Sequence, residues 1–210
     1  MLEMLDWKLT VLLLIGYLLG SINTSIIVGK LWRGVDVRDH GSKNAGATNT
    51  LRVLGKRAGG ITLAGDVLKA VIGIVIARLW YPNYMMAIYV TGAGAILGHS
   101  FPLYHGFKGG KGVIVSLIFA AAACWQVGAA GAVIGISFIA ITRYVSFGVM
   151  VAAIVMLCAA IIGAATSTFC NGEYVIFMAF IAILIFYRHR TNIERLIKGT
   201  ESKIGEKKVD

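Results

Sequence analysis

The chain has 210 residues, of which 58% are hydrophobic and 14% charged, and its mean hydropathy is +0.79. Soluble domains contain about 45–50% apolar residues, so the composition excludes an ordinary soluble protein and indicates an integral membrane protein. The formal net charge is +10. Attraction of Lys and Arg to anionic headgroups accounts for this excess, so no nucleic-acid partner is needed. Cys124, Cys158 and Cys170 show no CxxC spacing and no clustered His, which indicates neither a metal site nor a disulfide framework.

Long apolar runs predict the membrane-spanning helices, because backbone polar groups in hydrocarbon must be satisfied within their own segment. In chain order they cover residues 10–28, 61–80, 85–97, 147–165 and 174–187, with a longer uncharged stretch at 113–142. As one helix that stretch would be roughly 45 Å long, against a hydrocarbon core of roughly 30 Å. We therefore predict two short helices that turn near Trp125, Gln126 and Gly128.

Basic residues concentrate in three regions, residues 30–57, 108–111 and 188–208. Cytoplasmic loops collect Lys and Arg, and an odd number of spans is needed to place all three regions inside. The sequence thus predicts an all-α membrane protein of about seven spanning helices with short re-entrant or interfacial inner loops. The N-terminus is expected outside, the C-terminus in the cytoplasm, and residues 1–210 as one membrane domain.

The first polar motif covers residues 41–49 and is rich in small residues. Its glycines let the backbone approach a ligand closely, and several side chains offer hydrogen bonds: Ser42, Asn44, Thr48 and Asn49. Arg52 follows within reach. An alternative is that Thr48 and Asn49 only cap a short interfacial helix through Leu51 and Leu54.

The second polar motif covers residues 99–112, and its Pro102 and glycines predict a re-entrant or sharply turning segment. The sequence around Gly109, Gly110 and Lys111 leads straight into the next span, whose start can direct N–H groups and a positive dipole end at an anion. The spacing does not match a Walker A loop. For Lys108 the alternative to a role in anion binding is that its side chain only extends to the lipid headgroups.

Further polar groups border the same predicted face. Arg143 and Ser146 occupy a tight inner turn, and His189 and Asn192 stand at i and i+3, which predicts one shared helix face. Asp66 and Lys69 have the same spacing inside a span, where an ion pair is expected because unpaired charges are costly there.

Several motifs in order resemble one family over nearly the whole length. They are Gly20-Ser21-Ile22, GS-x-N-x-GATN at 41–49, Gly65-Asp66 with Lys69, GH-x-FP to FKGGKGV at 98–113, Arg143-Tyr144-Val145-Ser146, and His189-Arg190 with Asn192. The chain resembles the PlsY-type acyl-phosphate glycerol-3-phosphate acyltransferases of bacteria. The resemblance implies seven spanning helices in the bacterial cytoplasmic membrane, a cytoplasm-facing active site, and no cofactor or metal.

The implied reaction transfers a fatty acyl group from acyl phosphate to the 1-hydroxyl of glycerol 3-phosphate, giving 1-acylglycerol 3-phosphate and phosphate. Its partners are these two substrates and the lipid bilayer, and functional coupling to an enzyme that produces acyl phosphate is left open. The alternative is a small phosphate or organophosphate transporter, which is expected to hold its site near the bilayer midplane between repeated halves. Here the polar motifs cluster on one side and no repeat is visible.

The resemblance also implies the site. The residues expected to act on the reacting groups are Lys111, Arg52, His189 and Asn192, and those expected to bind substrate are Ser42, Asn44, Thr48, Asn49, Lys108, Gly109, Gly110, Arg143 and Ser146. The chain departs from the family at Lys43, usually glycine, and at Ile114-Val115, often Ala-Thr. Since neither paired carboxylates nor a Ser-His-Asp set appears, a substrate phosphate is the expected proton acceptor.

Overall fold

The computed structural model describes residues 7–205, and this range is helical without a strand. Its helices are α1 Trp7–Ser21, α2 Thr24–Arg33, α3 Ala47–Leu54, α4 Lys56–Trp80, α5 Met85–Ser100, α6 Val113–Ala123, α7 Trp125–Thr142, α8 Val145–Ala165, α9 Gly172–Arg188 and α10 Arg190–Ile197, with a short 3₁₀ turn at Leu103–His105. Lys207 and Lys208 of the predicted basic tail lie outside the described residues. The described chain forms two compact units, divided between Ala123 and Cys124.

Within residues 7–205, five helical segments are long and apolar enough to cross a membrane. They are Trp7–Arg33, Lys56–Trp80, Met85–His105, Trp125–Thr142 and Val145–Ala165. The bent pair α9 and α10 makes a sixth candidate, and α6 is a shorter apolar helix. The predicted all-helical membrane architecture is confirmed, whereas the number seven, the orientation and the single domain stay predictions.

In the first unit, α1 packs along α5 through glycines spaced four residues apart on both helices. A Cβ at Gly16 or Gly20 would collide with the backbone of α5, and a Cβ at Gly94 or Gly98 with the backbone of α1. Small residues at such positions let two membrane helices approach until their backbones touch. This contact fixes the C-terminal end of α5, where the second polar motif begins.

The first predicted span is interrupted, because α1 ends at Ser21 and α2 begins at Thr24. Asn23 caps the new helix, its side-chain oxygen accepting the N–H of Ile26 at 3.3 Å. Asn favours such a cap over a helix interior, since its amide competes for backbone groups. The interruption frees carbonyl oxygens at the end of α1 from helical pairing.

The uncharged stretch at 113–142 divides as predicted. Helix α6 ends at Ala123 and α7 begins at Trp125, with Cys124 between them in extended conformation at φ −149°. The sequence argument from length therefore located the break to within a residue of Trp125.

In the second unit, α8 packs against both α7 and α9. The three cysteines are free thiols, but Cys170 Sγ lies 3.6 Å from Cys124 Sγ, a proximity that their spacing did not indicate. Helix α9 ends at Arg188, and α10 departs from it at an angle of 57°.

Candidate functional site

The first loop, residues 34–46 between α2 and α3, is organised around the buried amide of Asn49. Its Nδ2 donates to the carbonyls of Val37 and His40 at 2.8 and 3.1 Å, and its Oδ1 accepts the N–H of Ser42 at 2.8 Å. Both amide protons are thus used by the loop itself. This geometry supports a scaffolding role for Asn49 in place of the predicted contact with substrate.

The short helix α3 follows this loop, as the capping alternative predicted, but its cap is different. Gly46 occupies the N-cap without a side-chain hydrogen bond, so neither Thr48 nor Asn49 caps the helix. Arg52 lies half-buried in the last turn. Among residues 7–205 no carboxylate forms an ion pair with it. Arg52 therefore presents a guanidinium whose charge is not neutralised within the described protein.

Lys43 adopts a left-handed backbone with φ +57°, beside Gly41 at φ +60°. Residues other than glycine enter this region at a cost of about 1–2 kcal/mol. The glycine expected at this position from the resemblance would adopt this backbone without strain, whereas Lys43 adopts it at that cost. The side chains of Ser42 and Asn44 are half-buried on either side of it.

The second loop, residues 101–112 between α5 and α6, folds back on the end of α5. The N–H groups of Gly109 and Gly110 donate to the carbonyls of Ser100 and His99 at 3.3 and 3.0 Å. Both glycines are buried, and a Cβ at Gly110 would collide with the His99 ring. In this geometry both N–H groups are taken up by the protein and the glycines serve close packing, and the phosphate contact through them stays a prediction.

Arg38 joins the two loops. Its Nη1 donates to the carbonyls of His105 and Lys108 at 2.8 and 2.9 Å, while Asp36 accepts from its Nε and Nη2. The hydrogen bonds from Arg38 hold the pKa of Asp36 below its ordinary value, so the pair is charged at neutral pH. Sequence reasoning missed this clamp, although the spacing Asp36-x-Arg38 was visible. The Lys108 side chain is exposed.

Lys111 is half-buried between two buried glycines, and α6 begins two residues later at Val113. Gly112 turns the chain into the helix at φ +72°. The first N–H groups of a helix have no intrahelical partner and carry its positive dipole end. Lys111 therefore stands on a fixed backbone beside a helix start.

In the second unit, His189 and Asn192 do not lie within one continuous helix, and their joint action stays a prediction. His189 is the junction between α9 and α10, and Asn192 belongs to α10. The Asn192 N–H donates to the His189 carbonyl at 2.8 Å, and His189 Nδ1 donates to the Ile185 carbonyl at 2.8 Å. Since a carbonyl accepts only, this contact fixes a proton on Nδ1. Both side chains are buried.

Glu201 is a residue that the sequence reasoning missed. Its Oε1 accepts from Ser146 Oγ at 2.7 Å and from Asn192 Nδ2 at 2.6 Å, and its Oε2 from Arg195 Nε at 2.7 Å. Burial raises the pKa of Glu201, and these three donors more than offset that effect, so the pKa lies below its ordinary value. Little in the sequence pointed to it, because Glu201 is one of several acids scattered through a mainly basic tail.

Arg143 holds the segment that carries Glu201. Its Nη2 donates to the Ile204 carbonyl at 3.0 Å, and the Ile204 N–H donates to the Arg143 carbonyl at 2.8 Å. Two of the predicted substrate-binding residues, Arg143 and Ser146, thus contact the C-terminal segment.

The comparisons with known proteins agree on one family. The family model described as glycerol-3-phosphate acyltransferase matches residues 10–199. A glycerol-3-phosphate acyltransferase of Halalkalibacterium halodurans is 43% identical over 202 residues, covering 94% of this chain and 96% of the relative. One of Clostridioides difficile is 42% identical with the same coverage.

The solved structures lead to the same family. The chain is similar to PlsY, an integral membrane glycerol 3-phosphate acyltransferase, in its glycerol 3-phosphate form, with a TM-score of 0.84 and 34% identity. The match covers 94% of this chain and 96% of that one. The lysophosphatidic acid form of PlsY matches with a TM-score of 0.81.

Proposed function

Because the chain belongs to the glycerol-3-phosphate acyltransferase family, we propose that it transfers a fatty acyl group from acyl phosphate to the 1-hydroxyl of glycerol 3-phosphate. The bond between the acyl carbon and the phosphate oxygen breaks, and an ester forms to the hydroxyl oxygen. The products are 1-acylglycerol 3-phosphate and inorganic phosphate. The observation that carries the proposal is the Arg38 clamp, which ties the loop preceding Arg52 to the loop bearing Lys111.

Lys111 and the start of α6 act on the phosphate of the acyl donor. Negative charge grows on that phosphate and on the carbonyl oxygen as the bond breaks, and preorganised donors stabilise it. The loss of one such donor typically costs roughly 2.7–4 kcal/mol in the transition state. The buried glycines hold the backbone on which Lys111 stands, so their role is indirect.

Arg52, His189 and Asn192 hold glycerol 3-phosphate so that its hydroxyl comes within about 3–3.5 Å of the acyl carbon. Asn192 and Ser146 are suited to a fixed orientation because Glu201 accepts from both. His189 Nδ1 is engaged by a backbone carbonyl, which directs the other ring nitrogen to a ligand. A substrate phosphate takes the hydroxyl proton.

The protein lies in the bacterial cytoplasmic membrane with seven spans and an active site facing the cytoplasm. Five long segments and the bent pair α9 and α10 are candidate spans, and counting the shorter apolar helix α6 as a span supports that number. The basic stretch at residues 30–57, the loop with Lys108 and Lys111, and the basic C-terminal segment then lie inside, as the bias of Lys and Arg requires.

A product assay with purified protein tests the reaction. We expect acylated glycerol 3-phosphate and one equivalent of phosphate from acyl phosphate, without a membrane gradient, and no product from an acyl thioester. Lys111→Met is expected to lower kcat by about 100-fold. Lys56→Met, which removes an exposed lysine at the start of α4, is the control. Turnover with the thioester but not with acyl phosphate would refute the donor assignment, and gradient-dependent uptake without product would select a transporter.

Substituting His189 with Ala separates binding from base catalysis. A rise in KM for glycerol 3-phosphate at preserved kcat supports a binding role, because the ring then contributes equally to ground state and transition state. Loss of kcat at saturating acceptor, with a shifted pH profile, would instead identify His189 as a general base.

A further inference from the structure

A buried charged cluster lies within the first unit at the level of the second loop. Lys69 Nζ is 2.8 Å from Asp66 Oδ1 and 2.8 Å from His99 Nδ1, and all three side chains are about 5% exposed. The ion pair predicted from the i, i+3 spacing is confirmed, but His99 had not been connected with it. A membrane span retains such charges at high cost, and an apolar core would pack as well. Packing alone therefore does not explain why these charged and polar side chains are present at this position.

Lys69 anchors the cluster to the interruption between α1 and α2. Its ammonium group donates to the carbonyls of Gly20 and Ile22 at 3.3 and 3.1 Å. These carbonyls are available because the helix breaks at Asn23. An ammonium group only donates, so His99 Nδ1 accepts, and a neutral imidazole then carries its proton on Nε2.

The opposite edge of the His99 ring meets the second loop. A Cβ at Gly110 would collide with His99 Nε2, so the ring lies directly against that glycine. The His99 carbonyl also accepts the Gly110 N–H at 3.0 Å. One residue thus contacts the ion pair through Nδ1 and the backbone next to Lys111 through Nε2 and its carbonyl.

We propose that Asp66, Lys69 and His99 are positioning residues that set the second loop, and hence Lys111, through the contact of His99 with Gly110. None of the three needs to touch substrate. The inference rests on the proposed function only in that Lys111 acts on the donor phosphate. The contacts that hold the loop are independent of that assignment.

The test uses Asp66→Asn/Lys69→Met in the full chain, purified in detergent. Removing both charges leaves no unpaired ion, so this variant folds where Lys69→Met alone fails. Amide hydrogen exchange within residues 106–112 is measured alongside acyl-transfer kinetics. We expect exchange of the Gly109 and Gly110 amides to rise about tenfold or more, as loss of one charged hydrogen-bonding partner predicts.

The kinetics separate positioning from general damage. We expect kcat/KM for acyl phosphate to fall about tenfold while KM for glycerol 3-phosphate stays the same, because only the Lys111 loop is displaced. Arg78→Met removes a cation at the other end of α4, where it donates to the Pro82 carbonyl, and is expected to change neither readout. Unchanged exchange at 106–112 in the double variant would overturn the proposal, as would an equal rise along α1 and α5. An inactive wild-type protein would overturn the proposed function alone, since the exchange measurement still decides the positioning.

Discussion

Replacing Glu201 by Ala is expected to destabilise the second unit and to weaken acceptor binding. The Glu201 side chain is 8% exposed and accepts three hydrogen bonds of 2.6–2.7 Å. Bonds to a charged group contribute about 1.5–3 kcal/mol each, so those from Ser146 and Asn192 sum to about 3–6 kcal/mol. Arg195 is 35% exposed, and its pair with Glu201 adds at most about 1 kcal/mol because solvent screens it.

Thermal unfolding in detergent measures the effect. At about 2–4 °C per kcal/mol for a chain of this size, a loss of about 3–7 kcal/mol in Glu201→Ala should lower Tm by roughly 6–28 °C. Glu201→Gln keeps one acceptor oxygen and should lose about half as much. Glu194→Gln is the matched control, since that carboxylate is exposed on the same helix α10 that carries Asn192. Its Tm should match that of the wild type.

Kinetics and pH complete the test. Because Glu201 orients Asn192, Glu201→Gln should raise KM for glycerol 3-phosphate more than it lowers kcat. The pKa of Glu201 is below its ordinary value in the folded protein. Its contribution to stability is therefore complete above the ordinary carboxyl pKa and is lost as the pH falls through the lower folded value. A Glu201→Ala protein with unchanged Tm and unchanged KM would refute the role given to this carboxylate.

Three further outcomes are expected. Gly20→Ala should lower the free energy of unfolding by about 1–3 kcal/mol, because the added Cβ meets the backbone of α5. Gly60→Ala is the control, since a Cβ at Gly60 enters open space and should not destabilise the protein. Equal unfolding temperatures for the two variants would contradict the close packing. Lys43→Gly should keep or raise Tm, because glycine adopts a positive φ without strain. Lys43→Val should lower the free energy of unfolding by about 1–2 kcal/mol, since a branched side chain is strained at positive φ. A valine variant as stable as the wild type would contradict the left-handed conformation of residue 43. Burial raises the pKa of Cys170 to about 12, so its thiol should react slowly with maleimide at neutral pH. An added oxidant should form a disulfide between Cys170 and Cys124 within one chain, which peptide mapping would detect. A disulfide to Cys158 instead would contradict the geometry.

The fold was predictable wherever one physical requirement dominated. Apolar length alone indicated the spans and the division of residues 113–142, because a bilayer limits the length of a straight helix. The interruption at Asn23 was not predicted, since neighbouring residues keep the average hydropathy high. The capping side chain of Asn23 starts α2 and so ends the first helix before it. The interruption also depends on Lys69, which donates to a carbonyl that the break releases, and the sequence did not show this contact.

The site was predictable in its residue types but not in their partners. Both polar motifs were identified from composition, yet the amides of Asn49, Gly109 and Gly110 are used by the protein itself. A list of polar residues in an apolar chain mixes those that meet ligand with those that hold the backbone. The two classes separate only when each donor and acceptor is traced to its partner.

That tracing also explains why the tail was misjudged. Membrane orientation is a sufficient reason for a basic C-terminal segment. Because that reason concerns only the Lys and Arg residues, it drew no attention to Glu201. In the structure the segment returns to Arg143, and Glu201 accepts hydrogen bonds from Ser146 and Asn192. Asn192 was expected to act through its spacing from His189 on one helix, but His189 lies at the junction of α9 and α10 and Asn192 lies within α10. What fixes the Asn192 amide is a carboxylate nine residues further along the chain, so the polar motifs of this sequence do not describe the site without Glu201.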